Sequence, residues 1–241
     1  MTKAPRKGGP KGGAGKSSGM AGRGLHTKVK TAKGRKISST LWLQRQLNDP
    51  YVVEAKKRGY PSRAAFKLIE LDEKFHFLKA GLTVVDLGAA PGGWTRVAVE
   101  RIGKSGKVIA LDINEMEPVP GATILHHDFL DDDAPELIKE ALDGPADIVM
   151  SDMAAPAMGH AGTDHLKIMA LAEAALDFAH QVLAPDGIFV AKVLQGGSEN
   201  QLLAAMKKDF KVVRHAKPPA SRSDSSEMYV IATGYRKPKE A

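Results

Sequence analysis

Short, nearly continuous apolar runs alternate along this chain with longer segments in which apolar residues recur at helical spacing. The runs TVVDLG (83–88), KVIALDI (107–113), ATILHHD (122–128), ADIVMSD (146–152) and GIFVAKVL (187–194) read as buried strands. Between them, helices are predicted around Val97, Ala98 and Ile102, then over 135–142, 166–183 and 199–210. Upstream, 40–47 reads as a short helix leading into 49–58. Ser62 is placed to cap a helix through SRAAFKLIELDEKFHFL, whose apolar side includes Phe66, Ile69 and Phe75. The last two runs, KVVRHA (211–216) and MYVIATGY (228–235), have no helix between them and are expected to pair as a hairpin. Strand–helix alternation of this kind predicts an α/β sandwich of three layers with a mostly parallel sheet. No internal repeat interrupts it.

Composition adds an asymmetry to this picture. The 241 residues are 43% hydrophobic, enough for an ordinary core. Residues 1–36 hold 11 Lys and Arg and no acid, whereas the remaining 205 hold 24 basic and 28 acidic residues, a net −4. The formal +7 therefore belongs to the opening segment. Rich in Gly and Lys, that segment has almost nothing to bury, and we read 1–36 as a disordered basic arm and 37–241 as the folded domain. Such an arm is suited to nucleic-acid phosphates. The absence of cysteine excludes disulfides, thiolate metal sites and a cysteine nucleophile. No apolar run resembles a signal peptide or a membrane span, so a cytoplasmic protein is expected.

The segment Asp86-Leu-Gly88-Ala-Ala-Pro91-Gly92-Gly93-Trp94 lies where the first strand feeds its helix, and its glycines let backbone approach a ligand. Asp112 stands at the end of the next strand, 20 residues past Gly92, where a carboxylate can accept both ribose hydroxyls of an adenosine. Asp128 ends the third strand and is within reach of an adenine amino group. A nucleoside cofactor follows. The dinucleotide fingerprint G-x-G-x-x-G and the Walker sequence are both absent, and GKSGK at 103–107 reads as a turn. His126 and His127 have no further ligands at convincing spacing, so no metal is expected.

DLGAAPGGW, with SDMA at 151–154, AKVLQG at 191–196 and SRSDSSEMY at 221–229, resembles the FtsJ family of ribose 2'-O-methyltransferases from about residue 38 to 236. The resemblance implies a Rossmann-like class I methyltransferase fold, with seven strands and one late antiparallel strand. It also implies S-adenosylmethionine as cofactor, held by Gly92, Trp94, Asp112, Asp128 and Asp152. The implied reaction is methyl transfer to the 2'-hydroxyl of a uridine ribose in 23S ribosomal RNA, with the 50S subunit as partner. The basic arm lies outside the resemblance. One departure precedes Asp128, where this chain has His127 in place of the family's usual Gly.

Lys192 interrupts an apolar strand near its C-terminal end, where open α/β sheets place function, and burial of its ammonium calls for a partner. The family's Lys-Asp-Lys-Glu tetrad falls on Lys67, Asp152, Lys192 and Glu227, with all four residue types retained. Lys192 is then either the group that takes the hydroxyl proton or an electrostatic stabiliser of the oxygen. Lys56, Lys57, Arg58, Arg63, Lys67, Lys217 and Arg222 are the cations placed toward RNA, with phosphate their main contact. Tyr60 and Tyr229 read as packing groups before stacking ones.

The rivals lack parts. Pyrimidine C5 methylation wants a cysteine. Amine methylation wants an Asn/Asp-Pro-Pro-aromatic element, where this chain has Ser151-Asp-Met-Ala-Ala-Pro156. A nicotinamide dehydrogenase wants the missing fingerprint. A non-catalytic RNA-binding assembly factor accounts for the arm but not for the tetrad, and a 2'-O-methyltransferase acting on another RNA is the nearest alternative.

Overall fold

Seven strands form a single sheet in the order β3-β2-β1-β4-β5-β7-β6 in the computed structural model, which describes residues 37–236 apart from 157, 197 and 198. The basic arm, 1–36, lies outside the described residues. The chain divides into two units, 1–50 and 51–241. The described part of the first is the helix α1 (Ile37–Asn48) with Asp49 and Pro50, the residue at which the next helix begins. In the second unit, α2 (Pro50–Arg58) and α3 (Ala64–Phe75) precede β1 (Thr83–Leu87), α4 (Gly93–Ile102), β2 (Lys107–Asp112) and β3 (Ala122–His126). They are followed by α5 (Ala134–Leu142), β4 (Ala146–Ser151), α6 (Ala161–Val182), β5 (Leu183–Leu194), α7 (Glu199–Asp209), β6 (Phe210–Ala216) and β7 (Glu227–Tyr235).

The strand runs are apolar at nearly every position because both sheet faces are covered. Odd and even positions go to different cores. Val85, Leu87, Val149 and Phe189 pack with Ile138, Met169, Phe178 and Met206 from α5, α6 and α7. Val84, Ile148, Met150, Val190 and Tyr229 pack with Phe66, Leu68, Val97 and Ala98 from α3 and α4. Strands β1 to β5 run parallel, so their C-terminal ends share one edge. Strand β7 is antiparallel to both β5 and β6, and the expected hairpin forms.

The elements differ from expectation at several boundaries; β3, expected through Asp128, ends at His126. Helix α6 begins at Ala161, five residues before its apolar pattern, because Asp164 accepts the Met158 and Gly159 N–H groups (2.8 and 3.3 Å) and stabilises a polar first turn. Strand β5 begins at Leu183, opposite Ala146, and a register shift absorbs Pro185 and Asp186 before Ile188 meets Ile148. Ser62 sits one residue ahead of the α3 N-cap, Arg63, and its Oγ accepts from the Ala64 N–H at 3.3 Å. No described helix is long and apolar enough to cross a membrane.

Candidate active site

The turn after β1 and the ends of β2, β3 and β4 enclose a cleft of about 570 Å³, lined among others by Gly88, Ala90, Asp112, Asp128 and Asp152. Gly88 is required here. Its φ is +76°, and a Cβ would lie 2.7–2.9 Å from Met153 side-chain and backbone atoms of the opposite wall. Asp112 ties the turn to its strand, one oxygen accepting from the Ala90 N–H (2.9 Å) and the other from the Asn114 backbone (2.8 Å) and side chain (2.9 Å). The oxygen that takes only the Ala90 N–H keeps acceptor capacity, whereas the Asn114 pair occupies the other. Asp128 accepts from the Leu130 N–H at 2.9 Å, and Ile113 and Leu130 add exposed apolar surface to the lining.

Gly92 and Trp94 stand behind this cleft. A Cβ on Gly92 would press on Met116 at 2.9 Å, and Gly92 lines a separate hollow with Pro61 and Pro118. Trp94 is buried, its indole N–H donating to the Ala64 carbonyl (2.9 Å) and its ring lying 5.5 Å from that of Tyr229. These two residues shape the turn from its far side, while Gly88, one of the glycines expected to admit a ligand, and Ala90, which the sequence did not announce, line the cleft. The signal for Gly88 was a glycine directly at a strand end.

Beside the cleft, the four residues of the tetrad converge. Lys192, on the same sheet face as Val190, is buried and donates to the Asp152 carbonyl (2.7 Å), with its Nζ 3.1 Å from Asp152 Oδ1. Tyr229, paired with Lys192 across the sheet, donates its hydroxyl to the same Oδ1 at 2.7 Å. Lys67 reaches from α3 to Glu227 Oε2 (2.8 Å) and to Asp152 Oδ2 (3.7 Å). Ser221 donates to the other oxygen of Glu227 at 2.8 Å. Both carboxylates are thus held between a lysine and a hydroxyl.

Burial alone raises the Asp152 carboxyl, but Lys192, Lys67 and the Tyr229 hydroxyl outweigh it and hold the group below its ordinary range. Burial drives the Tyr229 hydroxyl well above its ordinary value, reinforced by Asp152 and Glu227, so it remains a donor. Asp86, fully buried under the turn, accepts from Thr95 Oγ1 at 2.7 Å through one oxygen, and its other oxygen has no partner among the described residues. Burial pushes it up to about 7, against the Thr95 hydrogen bond and with a further push from Asp152 and Asp112.

That position has a measurable consequence. A folded-state value above the unfolded one means stability from this group is complete below about pH 4 and is lost as pH rises through about 7, on the order of 4 kcal/mol. Asp86→Asn cannot titrate. Urea melts at pH 5 and 8 are expected to show a smaller stability difference for the variant than for the parent; equal differences would exclude this origin.

A second cleft, of about 430 Å³, opens on the other side of the tetrad, lined by Ser62, Arg63, Ala64, Lys67, Arg222, Asp224, Ser225 and Glu227. Asp152 lines the first cleft, and Lys67 and Glu227 line the second. The tetrad is the partition between them. Of the cations assigned to this side, Lys217 is exposed and donates to the Ser225 and Ser223 carbonyls of its own loop (2.5 and 3.2 Å). It thereby staples its own loop while one N–H stays uncommitted to these two carbonyls. Arg58 pairs with Glu54 at 2.7 Å. Tyr60 packs edge-on against Phe66 (5.9 Å) and donates to Glu100 (2.7 Å), which agrees with a packing role.

The two histidines beside Asp128 are engaged separately. His126 meets the Ile113 carbonyl at 2.9 Å, and His127 meets Asp133 at 2.8 Å, with Asp131 at 3.7 Å. His127, Asp131 and Asp133 are close enough to share a cation, yet both acids are exposed.

The profile of the FtsJ-like methyltransferases matches residues 60–235. A protein of Paramagnetospirillum magneticum named ribosomal RNA large subunit methyltransferase E is 66% identical over 226 residues, spanning 91% of this chain and 93% of its own. One of the same name from Rhodospirillum rubrum is 63% identical, spanning 91% and 85%. A crystal structure described as a ribosomal RNA methyltransferase of Plasmodium falciparum superposes with a TM-score of 0.66 at 32% identity, over 73% of this chain and 98% of that one.

Proposed function

The chain belongs to the FtsJ-like methyltransferase family, and from that premise we propose that it transfers a methyl group from S-adenosylmethionine to the 2'-hydroxyl of a uridine ribose in 23S ribosomal RNA, acting in the cytoplasm on the 50S subunit. The observation that carries this reading is the tetrad as a partition between two clefts, one acid-lined and one opening beside Arg63 and Arg222.

The first cleft fits the donor. Its volume lies within the roughly 300–1,000 Å³ of small-molecule sites. Asp112 and Asp128 supply acceptors for ribose hydroxyls and an exocyclic amine, Gly88 and Ala90 supply close backbone, and Asp152 places a carboxylate near the partition. S-adenosylmethionine bound there supplies an activated methyl on a cationic sulfur.

The acceptor side follows from charge. Lys67 and Glu227 orient the ribose from the second cleft. Lys192, fixed by the Asp152 carbonyl and Oδ1, presents its ammonium to the 2'-oxygen and stabilises the negative charge that grows as the proton departs. That proton is held by the coupled cluster rather than by one residue. Incubating the protein with tritiated donor and unmethylated large subunits, then digesting the RNA to nucleosides, tests the reading. The expected product is 2'-O-methyluridine. Label in a base, or none from folded protein, rejects it.

We assign the arm, 1–36, to rRNA backbone affinity. The rest of the chain is net negative, so the arm is the principal source of long-range attraction to phosphate. Replacing its 11 Lys and Arg by Gln is expected to weaken rRNA binding by about tenfold or more near physiological salt and to flatten the dependence of log K on log salt. An unchanged salt slope would remove the arm from the interface.

A further inference from the structure

We infer that Glu70 and Arg63 are positioning residues for methyl transfer, because together they seize both backbone polar groups of Ala220 and so fix the Lys67–Glu227 half of the tetrad. The inference rests on the reaction proposed above.

The connection between β6 and β7, residues 217–226, contains neither helix nor strand. Its internal bonds give it a shape: Ser221 N–H to the Pro218 carbonyl (2.8 Å), Ser225 N–H to the Arg222 carbonyl (3.1 Å), and the Lys217 staple. They do not give it a place. Placement comes from α3, where residues 63, 67 and 70 fall at helical spacing on one side. Arg63 donates through Nη2 to the Ala220 carbonyl, and Glu70 Oε2 accepts the Ala220 N–H at 2.6 Å. The other oxygen of Glu70 accepts from the Tyr51 hydroxyl at 2.8 Å, which fixes the carboxylate. Ala220 is fully buried, so both of its peptide groups need these partners.

The next residue transmits the grip. Ser221 donates to Glu227 Oε1 (2.8 Å), and Glu227 Oε2 receives Lys67 (2.8 Å), one turn along the same helix. A closed ring results: Glu70, Ala220, Ser221, Glu227, Lys67 and back through α3. Its two sides are the walls of the second cleft. Loss of the Glu70 bond leaves the walls joined only through Arg63 and through Lys67–Glu227 itself, and displacements of about 1 Å are enough to cost large factors in rate. Glu70 lines neither cleft, so its effect on turnover is indirect, through the groups its carboxylate holds.

The test uses the full chain and single-turnover methylation of large subunits on which the parent has been shown to act, so loss of the underlying reaction is seen in the parent first. Glu70→Ala is expected to slow methyl transfer by about 10- to 100-fold while donor affinity stays within about twofold. Glu70→Gln, which keeps an oxygen for the Ala220 N–H, is expected to recover most of the rate. In a Glu227→Ala background the ring is already open, and adding Glu70→Ala should slow the reaction by less than about threefold. Full rate in Glu70→Ala, or the same loss in both backgrounds, overturns the inference. If Glu70→Ala fails to fold, Ser221→Ala cuts the ring one link later and is expected to show the same rate loss at unchanged donor affinity; its failure to do so overturns the inference equally.

Discussion

Lys192→Ala is expected to lower single-turnover methyl transfer by about a thousandfold or more while changing donor affinity by no more than a few fold. The split follows from where the side chain points. Lys192 does not line the donor cleft, and its ammonium is directed at the Asp152 carbonyl and carboxylate beside the partition. In the proposed reaction, removing it deletes the cation assigned to the reacting oxygen. Asp152 still keeps Lys67 at 3.7 Å and the Tyr229 hydroxyl at 2.7 Å, so the variant should fold. Single-turnover rates on large subunits, with donor binding measured by titration calorimetry, check both halves. Turnover within about tenfold of the parent would take Lys192 out of the chemistry.

Asp152→Ala should do comparable damage to rate, but with a different signature. This carboxylate lines the donor cleft, so donor affinity falls with turnover. It also balances the buried Lys192 and accepts the Tyr229 hydroxyl, so its loss leaves one charge and one donor unmatched inside the protein. Such losses cost roughly 3–5 kcal/mol, and chemical denaturation should detect them. The sign with pH is opposite to that of Asp86. Asp152 is held below its ordinary range, so its stabilising effect is present at neutral pH and lost only as pH falls through that lowered value. Denaturation of Asp152→Ala at pH 7 and at pH 3 is therefore expected to converge toward the parent at the acid end. A constant gap would mean that packing, not charge, accounts for the loss.

Much of the architecture was legible because a parallel sheet buried on both faces writes itself as apolar runs. The strand ends, and with them Asp112 and Asp152, followed closely, whereas Asp128 stands two residues past the end of β3. Boundaries were less legible where side chains compete with propensity. The first turn of α6 has no apolar pattern to announce it, since Asp164 stabilises it from within. The tetrad was legible through the resemblance, not through spacing, because Lys67 and Glu227 are 160 residues apart. Glu70 was not legible at all. On a helix it reads as an ordinary surface acid, and its partner is a backbone N–H 150 residues away. The loop contacts of Lys217 were equally invisible: its exposed side chain donates to two carbonyls of its own loop, which no spacing announces.

The reversed direction of β7 carries a cost for the lineage of this protein. Five co-directional strands deliver groups to the working edge by their last residues; β7 delivers Glu227 there by its first, opposite Leu194, with Tyr229 opposite Lys192. Deleting one residue just after Tyr229 would carry Glu227 and Tyr229 toward the opposite face of the sheet relative to the rest of the strand. Residues from Val230 onward keep their faces and core contacts, but the polar cluster at the start of the strand is lost together with the buried place of Tyr229. Small indels near this strand's beginning should accordingly yield soluble, donor-binding and inert proteins.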